Sequence, residues 1–218
     1  MENEINIPQH LPLLPVKDIV IFPYMVLPVI VGRPASIAAV DKALSDNRLV
    51  MLVAQRDADV EEPKMADLFE IGAVGQILRM IKQPDGKVKI LVQGLQRAKL
   101  RAISNAGDGV IFADIETIAS PLAQNEFAAE AQMRAVKEQL IKLVGMGKPV
   151  PPDFVEMLDV LNEPEKLADI LAANLNTSVD ESQQFLDIID PLLRLQKISE
   201  YFNRELSIME VQQKIVSE

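Results

Sequence analysis

His10 is the one histidine in a chain of 218 residues that contains no cysteine. Metal centres draw on several His, Cys, Asp or Glu ligands at close spacing, and His10 has no second histidine and no acidic cluster beside it. Without cysteine there is no thiolate nucleophile and no disulfide. Serines are present, but none lies on the strand-to-helix elbow that exposes a nucleophile, and nothing supports a triad on His10. Gly145-Met146-Gly147-Lys148 carries the GK of a phosphate-binding loop. That loop also needs a glycine five residues ahead of the second glycine, and Ser or Thr after the lysine. Lys142 and Pro149 stand in those places, so the segment reads as a helix C-terminus. Gly107-Asp108-Gly109 lacks a third glycine and a following helix, and reads as a turn. Glu61-Glu62 and Asp180-Glu181 read as solvated charges or caps. The residues predict no catalytic, cofactor or metal site in this stretch, which leaves binding.

Composition narrows what would be bound. At 49% hydrophobic and 25% charged the chain is of ordinary globular make-up. No apolar run is long enough for a bilayer, so no membrane role is expected. The opening MENEINIPQH has acids where a secretory leader needs positive charge, which predicts a cytoplasmic protein. Formal charge is −10, divided unevenly: 13 Lys/Arg against 15 Asp/Glu in residues 1–118, and 9 against 17 in residues 119–218. Such acidity argues against nucleic acid, whose affinity rests on cations neutralising phosphates. Arg79, Lys82, Lys87 and Lys89 do cluster, and read as the solvated face of a hairpin.

That hairpin is the clearest local structure. Val-, Ile- and Leu-rich runs at Ala73–Lys82 and Val88–Val92 flank Pro84-Asp85-Gly86, where Pro presets φ and Gly supplies the positive φ of a turn. Val88, Ile90 and Val92 alternate with Lys87, Lys89 and Gln93, so one face meets a core and the other meets water. Gly94 then reads as a bend into another short extended run. Upstream, Leu11–Phe22 is extended, and Pro12 and Pro15 predict an edge or a strand start. Val26–Val31 is a short strand. Pro34 opens a helix through Ile37, Val40 and Leu44, with Asn47 as its left-handed stop. Leu49–Ala54 is a buried strand, and Val110–Ile118 is the last one.

After Ser120-Pro121, read as a helix cap, the pattern turns helical: Phe127–Val144, Pro152–Leu161, Asn162–Leu175, Gln183–Ile189 and Pro191 onward. The expected fold class is α+β. A pseudo-β-barrel of about six strands with one helix fills residues 1–118, and an all-α bundle ending in a long helix fills 119–218. Leu195, Ile198, Phe202 and Met209 approximate a heptad seam on that last helix, with Leu206, Val211, Ile215 and Val216 beside it. No Gly or Pro ends it, so it is expected to pack on the bundle, pair with another chain, or continue into a further domain.

The hairpin pattern GxVxxILxxxxxPDGxVKxLVxGLQRAxL resembles the centre of the amino-terminal domain of bacterial Lon proteases. Similar stretches are Leu13, Pro15-Val16-Lys17-Asp18, Pro23, Pro28, Val31-Gly32-Arg33, Ser36-Ile37, Met51–Gln55, Leu167-Ala168-Asp169 and Asp190 with Arg194-Leu195. The resemblance implies a PUA-like fold and a non-catalytic part of an ATP-dependent serine protease. Its partners would be unfolded or degron-bearing proteins and copies of itself, hexameric at full length. Its catalytic serine and lysine, and the loop for ATP and Mg, have no counterparts among these residues and would lie in further domains. Two other readings are a free-standing adaptor of the same type and a nucleic-acid-binding PUA-like module. VGRPxSI and the unterminated last helix favour the protease part. The candidate polypeptide-binding patch is Phe22, Pro23, Tyr24 and Met25 with Arg33 and Pro34, helped by adaptable Met51, Met65 and Met80. Candidate self-association residues are Phe202, Leu206, Met209 and Ile215.

Overall fold

A computed structural model describes residues 5–217. It forms two compact units, the first running to Ala119 and regaining Ala173–Asp187, the second made of Ser120–Ala172 and the chain from Ile188. The first unit is built on β1 (His10–Val16), β2 (Val26–Val31), α1 (Pro34–Leu44), β3 (Leu49–Ala54), β4 (Ile71–Lys82), β5 (Val88–Asn105) and β6 (Ile111–Thr117). These strands make one sheet in the order β2-β5-β4-β3-β1-β6, and β6 also pairs with β5. The sheet therefore curls back on itself as a pseudo-barrel, without becoming a regular closed barrel. It wraps a core of Leu11, Leu13, Leu49, Met51, Val53, Val74, Leu100 and Ile115. All six residues of β3 are buried, as its unbroken apolar run predicts.

Four local expectations are corrected. β1 lies inside the strand order, yet its prolines are accommodated because its pairing is staggered: His10–Pro12 face β6 antiparallel, and Leu13–Val16 face β3 in parallel. Each half thus has one open side where a missing N–H costs nothing. Helix α1 ends at Leu44, and the left-handed residue is Arg48 rather than Asn47. Asn47 instead accepts the Leu49 amide through its side chain, at 2.9 Å. Gly94 is not a bend between two runs. β5 continues through it for 18 residues, absorbing an irregularity opposite Val74/Gly75 and another at Leu100/Ala102. Gly94 is required by a close approach, since a Cβ there would meet the Phe22 carbonyl oxygen at 2.0 Å.

The fourth correction concerns the start of α2 (Glu126–Gly145). Its cap is Asn125, whose Oδ1 accepts the Ala128 amide at 3.0 Å; Ser120-Pro121 stays outside the helix. Replacing Asn125 by alanine is expected to cost about 1 kcal/mol of unit stability, read as a lowered urea midpoint. At the other end Gly147 has φ 102°, the Gly147 amide bonds the Val144 carbonyl, and the Lys148 amide bonds that of Leu143. These are the paired bonds of a left-handed helix stop, so the GMGK segment closes a helix.

The second unit also holds α3 (Pro152–Asp159), α4 (Pro164–Ala173) and α6 (Pro191–Ser217). Met133, Val136, Leu140 and Leu143 of α2 are buried, as are Leu195, Ile198, Phe202 and Leu206 of the contacting α6. Arg194 and Asp169 form an ion pair at 2.9 Å with both side chains wholly inaccessible to water. Arg194 also donates from Nε to the Ile188 carbonyl at 3.1 Å and from Nη2 to that of Ile189 at 3.2 Å. α5 (Val179–Asp187) belongs with the sheet: Gln183 donates to the Ile71 carbonyl, and buried Arg97 donates to the Leu186 carbonyl, each at 2.9 Å. The Ser178 hydroxyl accepts the Glu181 amide at 3.2 Å and caps the start of α5.

Candidate polypeptide-binding site

β2 ends the strand order and pairs with β5 alone. Leu27, Val29 and Val31 turn inward opposite Val92, Ile90 and Val88. Strand residues alternate sides, so Val26, Pro28 and Ile30 turn outward. Val26 is 51% and Ile30 61% exposed. An edge strand of this kind offers free backbone groups and an apolar surface together, the two things an extended peptide uses. Pro28 removes one N–H, which limits self-pairing along the edge.

Both ends of β2 are anchored. Before it, buried Phe22 and Pro23 lead into Tyr24, whose φ is 66°. The Tyr24 amide bonds the Gly94 carbonyl at 2.9 Å, and the Gly94 amide returns to the Met25 carbonyl at 2.8 Å. After it, Arg33 donates to the Pro15 carbonyl at 2.8 Å, to the Glu61 carbonyl at 3.3 Å and to the Gln55 side chain. Buried Gln55 passes the restraint on to the Asp57 and Val60 carbonyls. Partial burial lowers the Arg33 pKa, and nearby Glu61 opposes that shift. The Glu61 carboxyl is held below its usual range, first by its hydrogen bond from Lys17 at 2.9 Å. Above this network lies a cleft of about 690 Å³, lined by Leu14–Ile19, Pro28–Pro34, Ser36, Glu61 and Lys87.

A family model described as the ATP-dependent protease La (LON) substrate-binding domain matches residues 10–204. The chain belongs to this family. It is 45% identical over 216 residues to a Lon protease of Geobacter metallireducens, covering 99% of this chain and 26% of that protein. With a Lon protease of Aquifex aeolicus the identity is 40% over 207 residues, covering 94% of this chain and 26% of the other. The chain thus spans about a quarter of the length of these relatives. Among solved structures, the N-terminal domain of Mycobacterium avium complex Lon protease superposes with a TM-score of 0.73 at 19% identity, covering 89% of this chain and 98% of that one. A Lon N-terminal domain protein from Xanthomonas campestris gives 0.60 at 15% identity, covering 87% and 96%. These two likenesses concern the fold.

In this LON domain the six singled-out binding residues bracket β2 instead of forming one surface. Phe22 and Pro23 are buried beneath its start, Tyr24 and Met25 are half-buried, and Pro34 is exposed beyond its end. The Arg33 guanidinium is engaged with its own chain, so it fastens the β2–α1 junction. Of the methionines, Met51 is buried while Met25, Met65 and Met80 are half-buried. The outward row Val26, Pro28 and Ile30 escaped sequence reasoning because VLPVIV has no alternation to split. Pairing with β5, which does alternate, is the signal that assigns its faces.

On α6, Phe202 and Leu206 are buried, Met209 is half-buried and Ile215 is exposed. Ile208, Val211 and Ile215, at helical spacing, form the exposed apolar stripe. His10 bonds Asp114 at 2.7 Å and stacks on Phe112. Among the described residues no three His, Cys, Asp or Glu side chains converge as a metal site. No helix there is long and apolar enough to cross a membrane.

Proposed function

We propose that this chain is the substrate-holding, non-catalytic N-terminal part of an ATP-dependent serine protease of the cytoplasm. The whole enzyme would degrade misfolded and short-lived regulatory proteins. ATP, Mg and the Ser/Lys pair would act in domains outside the present sequence. Here unfolded or degron-bearing polypeptide is received along β2, between Tyr24 and Pro34, and selected there before it is passed on. The observation that carries this reading is an exposed apolar edge strand anchored by hydrogen bonds at both ends. Membership of the LON substrate-binding family and the names of the relatives support it. Assembly into a homo-oligomer is assigned to the exposed stripe of α6, Ile208, Val211 and Ile215.

The test is titration of the isotope-labelled chain with a permanently unfolded protein. Micromolar or weaker binding is expected, with amide shifts confined to Tyr24–Arg33. Val26→Asp combined with Ile30→Asp should weaken it at least about tenfold, the scale of losing buried apolar contact from two side chains. Shifts centred on the helical unit, or unchanged affinity of the double variant, would overturn the assignment.

A further inference from the structure

The outward row of β2 continues across two more strands. Register places Val26 beside Gln93 and Gln76, Pro28 beside Leu91 and Arg79, and Ile30 beside Lys89 and Ile81. Burial agrees with this assignment: the intervening Val88, Ile90 and Val92 are buried, while Arg79, Ile81 and Lys89 are exposed. The nine positions therefore form one outward face of five apolar side chains, two amides and two cations, with no carboxylate. Lys82 and Lys87 extend the positive charge toward the turn, where Asp85 sits 3.9 Å from Lys87. Among the described residues neither Arg79 nor Lys89 has an ion-pair partner. In a chain of net charge −10 this is a locally basic, apolar surface.

We propose that this three-strand face selects client segments in which apolar residues are flanked by Asp or Glu. The proposal rests on the polypeptide-binding reading above and adds to it the chemistry of the preferred client. The apolar side chains of such a segment cover Val26, Pro28, Ile30, Leu91 and Ile81, removing apolar surface from water. Its carboxylates meet Arg79 and Lys89. These lie diagonally across adjacent strands, roughly 7–8 Å apart at the backbone. Two carboxylates at alternate positions of an extended chain have a similar spacing, about 6.6 Å. Opposite charge on the face also speeds encounter and rejects basic segments by like-charge repulsion. A generic sticky patch would show no such discrimination.

The experiment uses the full chain and short synthetic peptides that share one apolar core of Leu, Val and Phe. Their flanks are glutamate, glutamine or lysine, and affinity is read by fluorescence anisotropy. At low salt the glutamate-flanked peptide is expected to bind about tenfold tighter than the lysine-flanked one, with the glutamine peptide between them. The spread should shrink as salt screens the exposed charges. Arg79→Glu with Lys89→Glu should invert the order of the glutamate and lysine peptides. Both positions are exposed, and an unaltered amide spectrum would confirm that the variant folds. Equal binding of all three peptides overturns the charge preference and leaves the apolar-client reading standing. No binding of any peptide overturns that reading as well. A single-stranded oligonucleotide that displaces the glutamate peptide would make the face a phosphate-binding surface, and this proposal fails. Self-association that the double reversal abolishes would place a second copy there, and the proposal fails equally.

Discussion

Arg194→Ala is expected to destabilise the helical unit by about 3–5 kcal/mol, the penalty for orphaning one partner of a buried ion pair. Asp169 would remain inaccessible to water without its counter-charge, and the Ile188 and Ile189 carbonyls would lose their donor. Native domains hold only about 5–15 kcal/mol in all. Urea unfolding followed by the circular dichroism of the helices should therefore move to a midpoint roughly 2 M lower. Removing both charges, as Arg194→Met with Asp169→Leu, should recover most of the loss, because no charge is then left uncompensated. A single variant within about 1 kcal/mol of the parent would show that water or a neighbouring group takes over the partner's place.

Gly94→Ala should be nearly as damaging in the sheet unit, on the order of 3 kcal/mol. The new methyl would stand 2.0 Å from the Phe22 carbonyl oxygen, and the obstacle is backbone, which has no rotamer to escape into. Relief requires β5 and the Phe22–Met25 turn to separate, breaking the two Gly94 hydrogen bonds that anchor β2. Gly86→Ala makes the contrast. Gly86 lies in a tight turn, at φ 85°, and a Cβ there meets nothing within 4 Å. Its cost should be the conformational penalty alone, about 1 kcal/mol. Urea midpoints of the two variants compare the effects directly. Amide shifts from Tyr24 to Val31 should move in Gly94→Ala only. Equal losses in the two variants would mean that the close approach at Gly94 costs no more than a turn glycine's conformational penalty.

Much of this architecture is legible in the sequence because it is written locally. The β4–β5 hairpin announces itself through Pro84-Asp85-Gly86 and the alternation of Val88, Ile90 and Val92, and β3 through an unbroken apolar run. Gly145–Lys148 reads as a helix stop because left-handed glycine is a local requirement. What fails is what depends on a distant partner. Ser120-Pro121 has the residues of a cap, yet the cap is Asn125, whose side chain accepts the Ala128 amide and whose helix buries its first residue at Ala129. β1 looks like an edge strand until staggered pairing gives each proline its own open side. The face proposed to bind polypeptide is the same kind of case. Val26, Pro28 and Ile30 cannot be told from Leu27, Val29 and Val31 until β5 lies beside them. Leu167-Ala168-Asp169 and Arg194-Leu195 stand out as familiar short stretches, but only the fold brings Asp169 to Arg194.

The antiparallel pairing of β2 with β5 also fixes how the unit answers to a pull. Six residue pairs, from Val26↔Gln93 to Val31↔Val88, link the two strands, and their hydrogen bonds run across the strand direction. Tension along β2 loads all of these bonds in shear, so they share the force. Tension at right angles peels them from one end. On the binding reading proposed above, a chain held on β2 and drawn lengthwise would load these bonds together, whereas one dragged sideways would load them one after another.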